Sequence, residues 1–198
     1  EGTNIGYEDY KVTDIVITVH GKPAPAGSKN AYVPLDKRLT STHWPRGMPY
    51  ADASGRCMVN VVDSNQKDSN AWKAKVVEAA RQAYSGPLLE CAVSVHMLFV
   101  LCRPVGHFGT GRNAGKVKDS ARKFPTVKPD VLKLARGTED ALTGVIWKDD
   151  SANVSLALEK RYSDVQGFEG KVILTISPLD DSHQQQTLEL EPVVRPPF

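Results

Sequence analysis

The sequence predicts a single α/β domain, a small mixed β-sheet with two main helices packed on it. Three observations point there. Segments 70–84 and 131–142 repeat apolar residues at helical spacing. Segments 14–20, 88–101, 155–162 and 171–177 are rich in β-branched residues, alternate apolar with polar, or do both, as strands do. The 198 residues, 40% of them hydrophobic, are enough for one sizeable core, and no repeat or heptad divides them. The domain is placed at 14–178, between an N-terminal extension (1–13) and a C-terminal tail (179–198).

The elements follow in order. Asp14 to His20, DIVITVH, alternates as a half-buried strand does, and GKPAPAGSKN follows as a loop with Lys22, Ser28 and Lys29 available to phosphate. Residues 35–56 are polar, turn-rich and aperiodic, and read as an insertion. Cys57 to Val62 reads as a second strand or hairpin arm. Asn70 to Tyr84 reads as an amphipathic helix with Trp72, Val76, Val77, Ala80 and Ala83 turned inward, capped by Asp68 or Ser69. Leu88 to Leu101 is the most apolar stretch and suits a central strand. It is too short, and too interrupted by Glu90 and His96, for a membrane span. His96 reads as a packed or sheet-face residue, since no His or Cys partner stands at metal spacing.

Taking 100° per residue from Val131, the side chains of Val131, Leu134, Ala135, Thr138 and Leu142 share one face, with Lys133, Arg136 and Asp140 opposite. Gly144 stops this helix, and Val145-Ile146-Trp147 suits an extended return that could bring Asp150 near Asp130. Ser155 to Tyr162 and Lys171 to Ser177 read as a closing pair of strands, with Gly167 and Gly170 in the turn between them. From Leu179 the chain is acidic and proline-rich, an arm rather than core, or a segment that docks on a partner subunit. Cys57, Cys91 and Cys102 are odd in number and widely spaced, which suits free thiols in a reducing, cytoplasmic compartment. No signal peptide or lipidation motif is visible, and the first residue is Glu.

Charge is unevenly spread. Residues 103–128 hold seven Lys or Arg against one acid, Asp119, a net +6 in a chain of only +2, which leaves the remainder at −4. That is the footprint of a phosphate-backbone contact, although a solvated surface loop is the ordinary reading of a charge run. Glycines 106, 109, 111 and 115 suggest a pliant loop that follows a nucleic-acid strand, with Arg112, Lys116, Lys118, Arg122, Lys123 and Lys128 as its phosphate contacts. His107 lies in the same loop, as a contact or a bystander. On this reading, the 35–56 insertion is a flap over DNA in which Trp44 stacks on a base, unless Trp44 packs back on the protein.

Acids flank the second helix. Asp130 stands at its start, and Asp149-Asp150 follow its end. Converging carboxylates repel unless a cation intervenes, and Mg2+ prefers such oxygen ligands. The plain alternatives are an N-cap for Asp130 and an Asp-Asp-Ser turn for the pair.

The run RPVGHFGTGRNAGKVKDSARKFPTVKPD followed by LKLARGTEDALTGVIWKDDSANV closely resembles the RusA-like crossover junction endodeoxyribonucleases, the Holliday junction resolvases of phages and prophages. VHGKPAPAGSKNAYV and VVDSNQKDSNAWKAKVVEAA agree with phage-type members, so the similarity runs from about Asp14 to Ile176. The resemblance implies a RusA-like homodimer in a bacterial host's cytoplasm that binds a four-way junction and makes paired, Mg2+-dependent nicks. It places the catalytic and metal acids on Asp130 and Asp150, with Asp149 a further metal ligand, and a basic catalytic residue on Arg136, with Lys133 one turn earlier. Arg136 keeps the charge but is a poor proton donor.

One position departs. The family motif has a second Asp two residues after the first, and this chain has Leu132 there. Leucine cannot ligate Mg2+, so the site uses fewer acids, recruits another, or works without metal. Glu139 and Asp140 are the candidates for a rearranged site. Glu139 is about 20° from Leu132 on the wheel, but about 10.5 Å along the axis. Three functions follow for test: an active resolvase, a catalytically impaired junction-binding relative, or a protein–protein adaptor whose basic loop binds an acidic partner.

Overall fold

The computed structural model describes residues 13–39, 41 and 46–179. The extension up to residue 12, Trp44 and the tail from residue 180 lie outside the described residues. In chain order the elements are β1 (Ile15–His20), β2 (Lys29–Tyr32), β3 (Leu35–Asp36), β4 (Met48–Pro49), β5 (Asn60–Asp63), α1 (Gln66–Ala83), β6 (Val93–Leu101), α2 (Val131–Leu142), β7 (Asn153–Tyr162) and β8 (Lys171–Pro178).

Four strands form one mixed sheet in the order β1-β8-β6-β7. β8 runs antiparallel to both β1 and β6, while β6 and β7 run parallel, joined through α2. Period-two alternation sets one face of this sheet inward: Ile15, Ile17 and Val19 of β1, Val93, Val95, Met97 and Phe99 of β6, and Val172, Leu174 and Ile176 of β8 are all buried. Trp72, Val76 and Ala80 of α1 and Leu134, Ala135, Ala141 and Leu142 of α2 join the same cluster. Each large side chain withdrawn there contributes about 1.5–3 kcal/mol. Between the helices, the Trp72 indole donates to the Thr138 hydroxyl at 3.1 Å, and that hydroxyl donates to the Leu134 carbonyl at 3.0 Å. The buried polar groups at this crossing are thereby satisfied.

The mixed sheet, the two helices and the central place of Leu88–Leu101 match the expectation, although β6 itself begins at Val93. His96 is exposed on the sheet face. Other expectations need correction. The loop after β1 contains β2, which pairs with β5 outside the main sheet. Residues 35–56 are not wholly irregular, since β3 and β4 form a short antiparallel pair. Helix α1 starts earlier than Asn70, and its N-cap position is Asn65 rather than Asp68 or Ser69. Ala83 is exposed, because the helix leaves the core at its last turn. Val145-Ile146-Trp147 is a turn: the Gly144 amide bonds the Trp147 carbonyl at 2.8 Å, and Trp147 forms a bridge with Leu89. All three cysteines are free. Among the described residues no helix is long and apolar enough to cross a membrane.

Candidate functional site

The parallel strands β6 and β7 end side by side, Leu101 in register with Tyr162. In α/β folds, ligands gather beyond the carboxyl ends of parallel strands, where connecting loops diverge and leave room. A cleft of about 950 Å3 lies here, closed by the 22–28 loop, the start of α1 and the start of α2.

Asp130 borders this cleft. It occupies the N-cap position of α2 with extended backbone, yet its side chain makes no capping hydrogen bond. No described residue bonds its carboxylate, so the plain capping role is not realised and both oxygens are open to a ligand. The approach to Asp130 is fixed from β7, where the Lys160 ammonium donates to the carbonyls of Val127 and Pro129, both at 3.0 Å. The other wall is fixed to α2 by the Ala26 amide, which donates to the Lys133 carbonyl at 2.8 Å. Gly137 permits that approach: a Cβ there would lie 3.2 Å from the Ala26 nitrogen. Lys133 lines the cleft, and Leu132 beside it is 70% exposed.

The acid pair sits elsewhere. Asp149 accepts the Ser151 amide at 2.9 Å and caps the short 150–152 turn. The Ser151 hydroxyl and amide hold its carboxyl below the usual carboxylate range. Two residues on, Asn153 donates to Glu139 at 2.7 Å. With Lys160 at Pro129 and Asn153 at Glu139, α2 runs antiparallel to β7. The nine residues from Asp130 to Glu139 rise about 13.5 Å. Asp149 and Asp150 therefore lie toward the later turns of α2 and do not border the cleft, and the expected approach of Asp150 to Asp130 is not formed within one chain. Asp140 is held by Lys73 of α1 at 2.9 Å. Among the described residues no three His, Cys, Asp or Glu side chains gather into a metal cage.

The predicted basic positions divide in two. Lys22, Lys128 and Lys133 border the cleft, while Lys29, Arg112, Lys116, Lys118, Arg122 and Lys123 are exposed outside it; Arg136 is exposed on α2. Their segment is not the pliant loop expected. Phe108 is buried in it, bridges join Phe108 to Val117 and Gly109 to Ala114, and Lys118 donates to the Gly106 carbonyl at 2.9 Å. Arg103 is buried and structural. It donates to the carbonyls of Ser163 and Arg122, pairs with Asp164 at 2.6 Å, and stacks over the Tyr162 ring at 5.1 Å. His107 meets the same ring edge-on at 5.6 Å rather than reaching outward.

Three contributors escaped the sequence reading: Lys75 and Tyr162, which line the cleft, and Lys160, which anchors its edge. Lys75 falls on the solvent face of a helix and reads as ordinary solvation. Only Gly21 hints at it, because its φ of +118° favours glycine and a Cβ there would lie 2.7 Å from the Lys75 ammonium.

Residues 49–173 match the family model described as endodeoxyribonuclease RusA. The chain is also 46% identical over 55 residues to an uncharacterised protein, YqaN, of Bacillus subtilis (strain 168), a match covering 26% of this chain and 39% of that protein. The aligned part thus spans about two fifths of the relative's length.

Proposed function

Because the chain belongs to the RusA endodeoxyribonuclease family, we propose that it is a structure-specific endonuclease that resolves four-way DNA junctions. The observation that carries this reading is Asp130: a carboxylate without a capping or ion-pair partner, at the start of α2, beside a cleft bordered by lysines. The exposed cations of the 103–128 segment are the backbone contact, and neutralising phosphates there makes binding salt-dependent.

Asp130, Asp150 and Asp149 are the residues that would hold a divalent ion, Mg2+ on this reading, and such an ion would supply an activated water and offset charge on the phosphodiester. Lys133 and Arg136 neutralise the charge growing on the phosphoryl oxygens, and Arg136 transfers no proton.

The active unit is a homodimer. β7 is a ten-residue edge strand whose outer side has no neighbour in the sheet, and Val154 and Leu156 on it are 63% and 42% exposed. A long, partly apolar edge is a template for a second strand. Two-fold antiparallel pairing of β7 with its copy sets the beginning of one strand beside the end of the other. That brings the Asp150 region of one copy toward the Asp130 region of its partner, the approach that one chain does not make.

A second reading has its own observation: Leu132, where the family places an acid, is exposed in the first turn of α2 and offers no ligand. On that reading the protein binds junctions but cuts poorly. Incubating a labelled synthetic four-way junction with Mg2+ tests both. Symmetric nicks lost in Asp130→Asn support the resolvase; tight binding without nicks supports the impaired relative; equal affinity for linear and branched DNA removes both and favours an adaptor for an acidic partner.

A further inference from the structure

The cleft beside Asp130 is more than a flat phosphate contact. Its volume of about 950 Å3 lies at the upper end of small-ligand sites, enough for a nucleotide. The walls combine two kinds of surface. Pro23, Pro25 and Pro129 with Tyr162 give apolar area, and Lys22, Lys75 and Lys133 give cations. Tyr162 is held rigidly, with Arg103 stacked over its ring and His107 against its edge. Lys75 is brought to the wall by its close approach to Gly21, and no described residue bonds or pairs with its ammonium. The first turns of both α1 and α2 border the same space, and neither helix has a side-chain N-cap bond. Amides at two helix starts without a side-chain cap add to the attraction for phosphate.

We propose that this cleft receives one unpaired nucleotide of the DNA substrate, its base against the proline–tyrosine wall and its phosphate on Lys75 and Lys22. The proposal rests on the junction reading and deepens it, because a branch point is where a base can leave the stack at small cost. Asp68 and Glu169, which also border the cleft, are acceptors for the ring N–H or amino groups of a base. The pocket thereby couples cutting to unpaired structure: a duplex offers it nothing, and a branch point presents a nucleotide next to Asp130.

The test uses the full chain and a fluorescent pentathymidylate, read by anisotropy across a salt series, with a second probe that lacks the central base. The abasic probe is expected to bind about tenfold more weakly, the size of one lost base–aromatic stack. Lys75→Gln is expected to weaken the intact probe several-fold and flatten the slope of log K against log salt by about 0.7, one phosphate contact to a single strand. Arg81→Gln, exposed in the last turn of α1 and away from the cleft, is expected to change neither, and melting curves check that both variants fold. Equal affinity for the intact and abasic probes, or indifference to Lys75→Gln, overturns the proposal. Binding of a four-way junction against linear duplex is measured alongside. Junction preference without a base effect removes the pocket and leaves the resolvase reading standing; a base effect without junction preference supports the pocket and removes the resolvase.

Discussion

Replacing Leu132 by Asp supplies the acid that the family resemblance implies two residues after Asp130, and the structure indicates what that substitution costs. Leu132 is 70% exposed, so only about a third of its side chain is withdrawn from water. Full burial of a leucine contributes about 1.5–3 kcal/mol, so the loss is about 0.5–1 kcal/mol. An acid in the first turn of a helix gains about 0.3–1 kcal/mol from the helix dipole. The two nearly cancel, and the melting temperature is expected to move by no more than about 2 °C. Function is expected to move much more. A further carboxylate two residues from Asp130 adds a hard oxygen ligand at the cleft, and nicking of a labelled four-way junction should reach half-maximum at a Mg2+ concentration at least about tenfold lower, or about 1.4 kcal/mol in metal affinity. The assay is a Mg2+ titration of nicking, run beside thermal denaturation of the same preparations. Identical titrations for the two proteins would refute the reasoning, as would a loss of more than about 2 kcal/mol in stability, which would mean that Leu132 packs against something.

Other perturbations follow from the same contacts. Asp130→Ala should leave stability within about 0.5 kcal/mol in urea unfolding, because the side chain makes no capping bond, while junction nicking is lost; a drop of about 1 kcal/mol or more would assign it a capping role. Arg103→Lys removes the planar fork that reaches two carbonyls and Asp164 from a buried position, and should cost about 1.5–3 kcal/mol in the same assay. Hydrogen bonding from Arg38 pulls the Asp36 carboxyl down from 3.8 to about 2. Because the folded value is the lower one, this pairing stabilises the β3–β4 arm above about pH 4 and is lost as pH falls toward 2. An NMR titration of the Asp36 carboxyl carbon with a midpoint near 3.8 would contradict the pairing.

The strands were legible where burial alternates along the chain: β1 sets buried against exposed positions in DIVITVH, and β8 sets buried against half-buried ones in KVILTIS. Helix α2 was legible for the same reason at a different period, with Leu134, Thr138 and Leu142 inward and Arg136 outward. β2 and β5 were harder to read, because their described side chains are exposed and neither strand joins the core. The basic segment read as pliant from its glycines, but Phe108 is buried within it and the Arg103 guanidinium ties it to Ser163 and Asp164, distant in sequence. Asp130 stood out by its place before a helix, whereas Lys75 and Tyr162 come to the cleft only through the β6–β7 register and the Gly21 approach. The separation of Asp150 from Asp130 depends on α2 running antiparallel to β7, a tertiary fact that helical periodicity does not encode.

The most direct test of the account is Mg2+-dependent cutting of a synthetic four-way junction by the unmodified chain, compared with Asp130→Asn and with a linear duplex of equal length. The account predicts paired, symmetric nicks near the branch point, absent from the linear duplex and absent with Asp130→Asn. No nicks from either the unmodified chain or Leu132→Asp, together with equal affinity for branched and linear DNA, would contradict it.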